Sequence, residues 1–581
     1  MTGFEIQSVA FDRDVVQGME NLHERFGNWP VVYTIDNRRD VYVGESQHVA
    51  KRMRQHLDSG TKKQLRQIRV IIDERFNKSA CLDLESTLIR WFSGDEKLMV
   101  LNRNDGVVDS EYYRRAEYRE TFEDVFEALR REGLFTRSIP EIENSDLFKL
   151  SPFKALNTEQ AVAVEAIVEG LQQDLETDRR SLSIVQGDPG TGKTIVAIYL
   201  AKLLRDIGAY EPSEDLDPDS MFSEFFLEGS RELFQGLRIG MVVPQQSLRV
   251  SIAAVFKKTP ALQQVKVLTP FQVGEADGEW DLLIVDEAHR LNQYSAQAMG
   301  TQTEQFRRIT TALFGHLDPE VTQLDWLQAK AKHVVLMLDA TQSVRPSDID
   351  PETLRRVTEE VRTDGRLYPL ASQMRVAGGN DYIAFVRELL SDEPPTTIPD
   401  FGEYDFRIYT DFAAMVQAIR EKEAEHGLSR LVAGYAWKWV SRKDRSAMDI
   451  VIDDQGFQWN TRATDWINSP TSAQEVGSIH TVQGYDLNYA GVIVGEDLVV
   501  DPSTGRLRAD RTHYFDSRGK NHNTLRNRPT TDEDLTRYLR NIYSVLMTRG
   551  MRGTYVYAPH LWSADGTLLR TVQGSAAGRL L

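Results

Sequence analysis

The chain has 581 residues, 41% of them hydrophobic, with one cysteine and a formal net charge of −18. We expect about three or four domains, because a single hydrophobic core stops growing near about 250–300 residues. The lone Cys81 excludes a disulfide framework and a cysteine zinc site. The N-terminus lacks a basic segment followed by an apolar one, and no apolar run reaches bilayer length. We therefore expect a cytoplasmic protein with no membrane partner.

The acidic net charge argues against nucleic acid at first sight, because contact with phosphates requires clustered Lys and Arg. The charge is, however, unevenly distributed. Between Arg38 and Lys78, eleven Lys or Arg stand against five Asp or Glu, a local balance of +6. This basic stretch predicts a phosphate-binding face on the N-terminal part of the chain.

Residues up to about Gly106 alternate strand and helix patterns. Two apolar runs, at 31–35 and 41–43, flank a polar turn and predict a β-hairpin. Each run carries one tyrosine, and the next helix has an arginine and a histidine at positions i and i+4, on one face. A second helix, at 81–89, carries a glutamate. The polar side chains that this block offers for catalysis are Tyr33, Tyr42, Arg52, His56, Glu85 and Asn102.

These motifs resemble those of the GIY-YIG nucleases. Val31-Val32-Tyr33 stands for the first triad and Tyr42-Val43-Gly44 for the second. Valine replaces the first glycine and both isoleucines, all at strand-core positions where substitutions of this size are tolerated. Asn102 occupies the closing position of the family pattern.

The resemblance implies metal-dependent cleavage of a phosphodiester bond. It assigns Glu85 as the ligand of one divalent ion, Mg2+ or Mn2+, and Arg52 to the phosphate. Tyr33 is the first choice for the general base, with Tyr42 or His56 sharing the task. The alternative interpretation is a hairpin with buried tyrosines beside a solvated basic helix.

The following segments indicate a different architecture. A charged pattern from Ser110 to about Gly133 has apolar residues at helical spacing and predicts a linker or docking helix. From Leu156 onward, apolar strands alternate with helices, which is typical of doubly wound parallel sheets.

The most informative segment of this second part lies between the apolar run 183–186 and the helical pattern 195–200. It is a glycine-rich turn that makes a phosphate cradle, because backbone N–H groups at the start of the helix face the phosphates. Lys193 is expected to reach the β- and γ-phosphates of ATP, and Thr194 to hold Mg2+. The turn comprises Gly187, Asp188, Pro189, Gly190, Thr191, Gly192, Lys193 and Thr194.

A second segment completes a nucleotide site. Residues 282–285 predict a buried strand that ends in two carboxylates. Asp286 is expected to hold Mg2+, and Glu287 to polarise the attacking water. The turn and the carboxylates, in this order along the chain, predict a P-loop ATPase.

Further segments stand in the order that superfamily 1 helicases use. Gln160 lies in a segment that resembles the Q motif, where it is expected to read the adenine edge. Gln342 lies where the family senses the γ-phosphate. Arg375 and Arg549 lie in segments that resemble motifs supplying arginines to that phosphate. A segment similar to motif V adds Gly484 to the expected nucleotide-binding residues.

Within this superfamily the chain from about Phe153 to Trp562 resembles the bacterial Schlafen-like helicase group. The resemblance rests on segments 373–375, 430–437 and 476–486. Aromatic side chains here are candidates for stacking on bases, although aromatics at strand ends are more often core. They are Trp437, Trp439, Trp459 and Trp466.

The predicted fold class is α/β, with a small mixed α/β GIY-YIG domain followed by two RecA-like doubly wound parallel-sheet domains. The expected boundaries are 1–106 for the GIY-YIG domain and 107–150 for a helical linker. The first RecA-like domain is expected at 151–350 and the second at 351–581.

The predicted function is an ATP-dependent translocase or helicase coupled to a Mg2+- or Mn2+-dependent endonuclease that cuts DNA, single-stranded or duplex. Defence against phage or foreign DNA follows from the resemblance alone. Two alternatives stay open, an ATP-gated nucleic-acid-binding switch and an RNA-directed nuclease, both without processive unwinding. A partner protein or a homo-oligomer is compatible with the sequence.

Overall fold

The computed structural model describes residues 3–58, 62–103, 112–211, 221–227, 229–295, 300–339, 345–373, 375–395, 397–462, 466–482, 486–501, 503–520, 522–523, 525–526 and 528–561. The expected site residues Gln342 and Gly484 lie outside these ranges. Three large sheets follow one another along the described chain. None of the described helices is both long enough and apolar enough to cross a membrane.

The N-terminal block is a mixed sheet with helices. Its elements are β1 (Phe4–Ala10), α1 (Arg13–Gln17), β2 (Val31–Asp36), β3 (Asp40–Ser46), α2 (Val49–Asp58), β4 (Gln67–Asp73), α3 (Lys78–Asp95), β5 (Met99–Val100), α4 (Arg115–Arg131), α5 (Ile139–Glu143) and α6 (Asp146–Lys149). The strand order is β1-β4-β2-β3-β5. The strands β2 and β3 form the predicted antiparallel hairpin, and the short β5 adds to β3 in parallel.

The predicted linker helix α4 packs onto this block. Its apolar face is buried in the same cluster as the core side of α3. The rings of Trp91 and Phe126 lie 5.1 Å apart, and those of Phe92 and Phe135 lie 4.3 Å apart. Aromatic pairs at these separations add to the burial energy, so α4 and the turn after it are part of the N-terminal core.

The second sheet is six-stranded and wholly parallel. Its elements are α7 (Thr158–Glu176), β6 (Ser181–Gly187), α8 (Lys193–Ala209), α9 (Ser230–Phe234), β7 (Ile239–Val242), α10 (Gln246–Lys258), β8 (Lys266–Leu268), α11 (Pro270–Glu275), β9 (Trp280–Val285), α12 (Gly300–Phe314), α13 (Gln323–Lys330), β10 (Ala331–Leu338), α14 (Pro351–Thr363) and β11 (Leu367–Leu370). The order is β11-β6-β10-β9-β7-β8. Since β11 pairs with β6, this sheet continues beyond residue 350, where the sequence placed the domain boundary.

The third sheet is five-stranded and also parallel. The elements of this part are α15 (Gly379–Leu389), β12 (Asp405–Tyr409), α16 (Phe412–His426), β13 (Ser429–Ala433), β14 (Ile450–Ile452), β15 (Gln455–Phe457), β16 (Val476–Ser478), α17 (Ile479–Val482), β17 (Leu487–Ile493), β18 (Leu498–Val500), β19 (Leu507–Ala509), α18 (Ser517–Lys520), α19 (Asp532–Met547) and β20 (Gly550–Tyr557). Its order is β12-β20-β17-β13-β16. The strand pairs β14–β15 and β18–β19 form two separate small hairpins.

Both parallel sheets are covered on both faces. Along β10, Val335 and Met337 belong to one apolar cluster, whereas the alternate residues Val334 and Leu336 belong to another. Successive side chains of a strand point to opposite faces, so the two clusters lie on opposite sides of the sheet. The predicted α/β class with two doubly wound parallel sheets is confirmed.

The sheet order fixes where polar loops meet. The strand β10 lies between β6 and β9, so the carboxyl ends of these three strands are neighbours. The glycine-rich turn follows β6, Asp339 follows β10 and Asp286 follows β9. In open parallel sheets ligands bind at this edge.

Candidate functional site

In the N-terminal block, a tyrosine and a glycine face each other across the hairpin. Tyr33 on β2 is paired with Gly44 on β3 and is fully buried. A β-carbon on Gly44 would overlap the hydroxyl and the ring of Tyr33. The glycine therefore makes the space in which the phenol lies.

The Tyr33 hydroxyl contacts the histidine of the following helix. Tyr33 Oη lies 2.7 Å from His56 Nε2, and Lys62 Nζ lies 2.9 Å from His56 Nδ1. An ammonium group has only donors, so Nδ1 accepts from Lys62, and a neutral ring keeps its proton on Nε2. His56 Nε2 then donates to Tyr33. Lys62 also lies 3.6 Å from the ring centre of Tyr42.

The pKa values of this group follow from its burial. Burial and then Tyr42 raise the pKa of Tyr33 well above its ordinary value, although a hydrogen bond with Arg52 opposes the shift. Burial, followed by Lys62 and Arg52, lowers the pKa of His56 well below its ordinary value. At neutral pH the phenol is protonated and the imidazole is neutral.

These contacts change the role expected for His56. Both of its ring nitrogens are engaged, and the side chain is only 1% exposed. In this position His56 orients the Tyr33 hydroxyl. The sequence had led us to expect that His56 would share the general-base task with Tyr33.

The remaining predicted residues of this block divide into two groups. Arg52 contacts Tyr33, and the charge of Glu85 acts on the same phenol, so these side chains lie together with Tyr42 and His56. Asn102 has a different role from these side chains. Its amide accepts from Val43 N at 3.1 Å and donates to Val43 O at 2.8 Å, which secures the backbone of β3.

Two carboxylates near the Cys81 thiol of α3 suit a divalent ion. Burial, then Glu45 and Glu85, raise the pKa of the Cys81 thiol, so both carboxylates lie near it. Carboxylate and water oxygens are the ligands that Mg2+ prefers. No group of three His, Cys, Asp or Glu suited to a metal occurs among the described residues. Glu45 and Glu85 thus offer oxygen donors of the kind that a hydrated divalent ion takes.

The glycine-rich turn after β6 has the conformation of a phosphate cradle. Gly190 and Gly192 have φ of +89° and +82°, a region that favours glycine. Gln160 Nε2 donates to the Thr191 carbonyl at 2.8 Å, and its Oε1 accepts from Asn157 N at 3.1 Å. Because both ends of its amide are engaged, Gln160 supports the turn from behind, which differs from the adenine contact expected from the sequence.

The lysine and the threonine that end the turn point toward acidic groups. Lys193 Nζ donates to the carbonyls of Gly187 and Asp188 at 2.6 and 2.8 Å, and lies 3.4 Å from Asp339 Oδ2. Thr194 Oγ1 donates to Asp286 Oδ2 at 2.8 Å. A hydroxyl and a carboxylate in contact at the start of a helix fit a nucleotide-bound Mg2+.

The two carboxylates after β9 differ in their surroundings. Burial and the adjacent Glu287 raise the pKa of Asp286. Burial alone would raise the pKa of Glu287 as well, but His289 and Arg290 outweigh it and lower that pKa. His289 Nε2 lies 3.0 Å from Glu287 Oε2. Glu287 is therefore more readily ionised than Asp286.

Two arginines from later parts of the chain reach the same cleft. Arg375 lies in the segment between β11 and α15, and Arg549 lies between α19 and β20 of the third sheet. Arg375 Nε lies 2.5 Å from Asp486 Oδ1. Burial and the neighbouring Arg375 lower the pKa of Arg549 to about 9, while Asp486 and Glu287 oppose that shift. Gln373, two residues before Arg375, donates from Nε2 to the Pro189 carbonyl at 2.6 Å, which connects this segment to the glycine-rich turn.

A cleft of about 590 Å³ joins these groups. Its walls include Lys193, Glu287, Arg375 and Arg549, together with side chains from the N-terminal block that sequence reasoning missed. Among them are Arg90 of α3 and Lys149 of α6, and burial lowers the pKa of this lysine. Neither residue belongs to a sequence motif. Their place in the cleft follows only from the way the N-terminal block docks on the rest of the chain.

The tryptophans proposed for base stacking belong mainly to the core. Trp459 and Trp466 are fully buried, and Trp466 Nε1 donates to Glu475 at 2.7 Å. Trp437 and Trp439 are half-buried and pack on Trp459 at ring separations of 6.5 and 6.2 Å. The core interpretation holds for Trp459 and Trp466, because no base reaches a fully enclosed ring.

Comparison with known proteins agrees with this arrangement. The family model described as Schlafen group 3, DNA/RNA helicase domain matches residues 180–560, and the GIY-YIG catalytic domain matches residues 30–98. An uncharacterized protein of Saccharomyces cerevisiae is 25% identical over 457 residues, which cover 72% of this chain and 91% of that protein. Both resemblances read from the sequence motifs are confirmed.

Proposed function

The chain belongs to the Schlafen group 3 DNA/RNA helicase family and carries a GIY-YIG catalytic domain, and from this premise we propose an ATP-driven nucleic-acid motor whose N-terminal domain cuts DNA. The coarser assignment, a nuclease joined to a helicase domain, follows from the families. The ATP dependence, the metal, the DNA substrate and the translocation are our proposal.

One observation carries the motor proposal. Lys193 and Glu287 of the second sheet line the same cleft as Arg549, which lies beside β20 of the third sheet, and Arg375, which lies in the segment that joins the two sheets. Phosphoryl transfer needs cations and positioned groups around the transferring phosphate, and a cleft between two lobes supplies both when it closes. The conformation of Gly190 and Gly192 supports the same assignment.

Each side chain of this cleft has a proposed task. Thr194 and Asp286 hold the nucleotide-bound Mg2+, which when bound neutralises charge on the phosphates. The ionised Glu287 orients the attacking water and accepts its proton. Arg375 and Arg549 stabilise the charge that develops as the γ-phosphoryl group leaves. Opening and closing of the cleft then moves the two lobes along a strand.

The N-terminal centre has matching tasks for phosphodiester cleavage. Glu85 is the proposed ligand of Mg2+ or Mn2+, which when bound neutralises the leaving 3′ oxygen. Arg52 steadies the phosphate, and Tyr33 takes the proton of the attacking water. Tyr33 acts in its phenolate form and becomes the neutral phenol when it takes that proton. His56 stabilises the phenolate before the transfer, since its Nε2–H donates to the same oxygen.

The biological setting we propose is restriction of phage or other foreign DNA, by analogy with fusions of nucleases and motors. The proposal of a DNA substrate rests on the nuclease family.

The deciding experiment measures ATP hydrolysis by the full chain alone and with single-stranded DNA, duplex DNA and RNA. We expect turnover to rise with nucleic acid, because a bound strand closes the cleft. Equal turnover under all conditions would reject the motor. Stimulation and cleavage with RNA only would establish the RNA-directed alternative in place of the DNA assignment.

A further inference from the structure

A short segment of the N-terminal block lies between the nuclease hairpin and the motor. It consists of β5 and the residues after it, up to Arg103. On one side Leu101 N donates to Val41 O at 2.9 Å, and the Asn102 side chain pairs with both backbone groups of Val43. This segment therefore holds β3, the strand that carries Tyr42 and Gly44.

The other side of the same segment contacts α8. Lys202 Nζ donates to the Asn102 carbonyl at 3.1 Å and to Asp206 Oδ2 at 2.6 Å. Lys202 and Asp206 are 1% and 6% exposed. The Arg103 guanidinium lies 5.3 Å from the ring centre of Tyr210, just beyond the end of α8. The block thus docks on this helix at two points.

The buried pair of Lys202 and Asp206 is not explained by stability. Removing two charges from water is costly, and apolar side chains of similar volume are often at least as stabilising. What the pair adds is a directed hydrogen bond from the motor to the Asn102 backbone. One residue, Asn102, thereby connects the motor helix to the nuclease strand.

The helix in question is the one that begins at the phosphate-binding turn. Lys193 is the first residue of α8, and Lys202 lies nine residues later, or about 14 Å along the axis. Because a packed helix moves as a unit, a displacement of its N-terminus on nucleotide binding also displaces Lys202. Such a displacement would reach β3 through the contacts of Asn102.

A second contact between the N-terminal block and the motor supports the same connection. Arg90 lines the nucleotide cleft and lies on α3, the helix that carries Glu85. Two of the elements that carry nuclease side chains are therefore linked to the nucleotide-binding part of the motor, β3 through Asn102 and α3 through Arg90.

We propose that Lys202 is a positioning residue that couples the nucleotide cleft to the nuclease centre, so that DNA cleavage depends on the nucleotide state. This inference rests on the proposed function and adds its regulation. Coupling between sites commonly amounts to about fivefold or more. We expect cleavage to differ by at least that factor between the nucleotide-free and nucleotide-bound chain.

The test compares the full-length parent with the double variant Lys202→Met/Asp206→Asn. The two substitutions nearly keep the side-chain volumes and remove both charges together, which avoids an unpaired buried carboxylate. Lys202→Arg keeps a donor at the site, and Lys257→Met, an exposed change on α10, is the matched control. Cleavage of plasmid DNA and ATP hydrolysis are measured with and without the analogue AMP-PNP. Hydrogen exchange of residues 40–46 is followed in parallel.

The parent, Lys257→Met and Lys202→Arg are expected to change both cleavage and exchange when AMP-PNP is added. The double variant is expected to lose both responses while it retains ATP hydrolysis. A nucleotide response of parental size in the double variant would overturn the inference, as would a parent with no response in either measurement. If the parent cuts no DNA, the proposed nuclease function fails, and the exchange of residues 40–46 still decides the coupling.

Discussion

The phenol of Tyr33 lies in the space left by the missing side chain of Gly44, its partner across the hairpin. This relationship makes the glycine part of the nuclease centre although it offers no functional group. It also joins the two tyrosine motifs into one unit, because the second motif supplies the room for the tyrosine of the first.

Gly44→Ala is expected to abolish DNA cleavage and to leave ATP hydrolysis unchanged. The added methyl group displaces the Tyr33 hydroxyl from His56, and overpacking of this kind costs about 1–3 kcal/mol of folding stability. The measurement is cleavage and ATP turnover of one preparation, with thermal unfolding as the check on folding. Parental cleavage by this variant would show that the position of the phenol is unimportant.

The cleavage rate is expected to rise with pH across the neutral and mildly alkaline range. Burial raises the pKa of Tyr33, so the phenolate is scarce at neutral pH and its fraction grows about tenfold per pH unit below that pKa. The rate is measured from about pH 7 to pH 9. A plateau in this range would identify a base other than Tyr33, and Tyr33→Phe should remove the rise.

Substitutions in the phosphate-binding part of the cleft are expected to separate ATP binding from hydrolysis. Lys193→Ala should lose ATP binding, because it removes the cation of the turn. Glu287→Gln should bind ATP but lose hydrolysis by about 10²- to 10⁴-fold, the usual contribution of a general base. Binding of a fluorescent ATP analogue and release of phosphate measure the two steps. Equal losses of binding in both variants would contradict the separate tasks.

The cleft arginines Arg375 and Arg549 are expected to act on turnover more than on affinity. Arg549→Ala and Arg375→Ala should each lower ATP turnover by about 10³-fold with little change in KM, as for other arginines that stabilise a leaving phosphoryl group. The control is Arg537→Ala, an exposed change on α19. Turnover at the parental level in both cleft variants would remove the third sheet from the catalytic site.

Much of this arrangement is readable in the sequence, for reasons that individual residues illustrate. The hairpin at Tyr33 and Tyr42 and the turn at Gly190 and Gly192 are local features whose residue types specify backbone conformation. Parallel sheets follow from apolar strands alternating with helices. The order of the motifs then indicates which strand ends meet.

Other features depend on contacts that no local pattern encodes. Lys62 sets the tautomer of His56, and the amide of Gln160 donates to the Thr191 carbonyl. The roles of His56 and Gln160 therefore differ from those expected from the sequence. Lys202 meets Asn102 across a hundred positions of sequence. Such pairs are determined by how the blocks dock, and a single sequence holds no signal for them.

The central claim is that one chain joins a motor to a metal-dependent nuclease in separate centres. The most direct measurement is Mg2+-dependent cleavage of plasmid DNA by the parent and by Glu85→Gln, with ATP hydrolysis recorded in the same samples. The account predicts that the parent cuts, that Glu85→Gln does not, and that both hydrolyse ATP at the same rate. Cleavage by Glu85→Gln at the parental rate would contradict it.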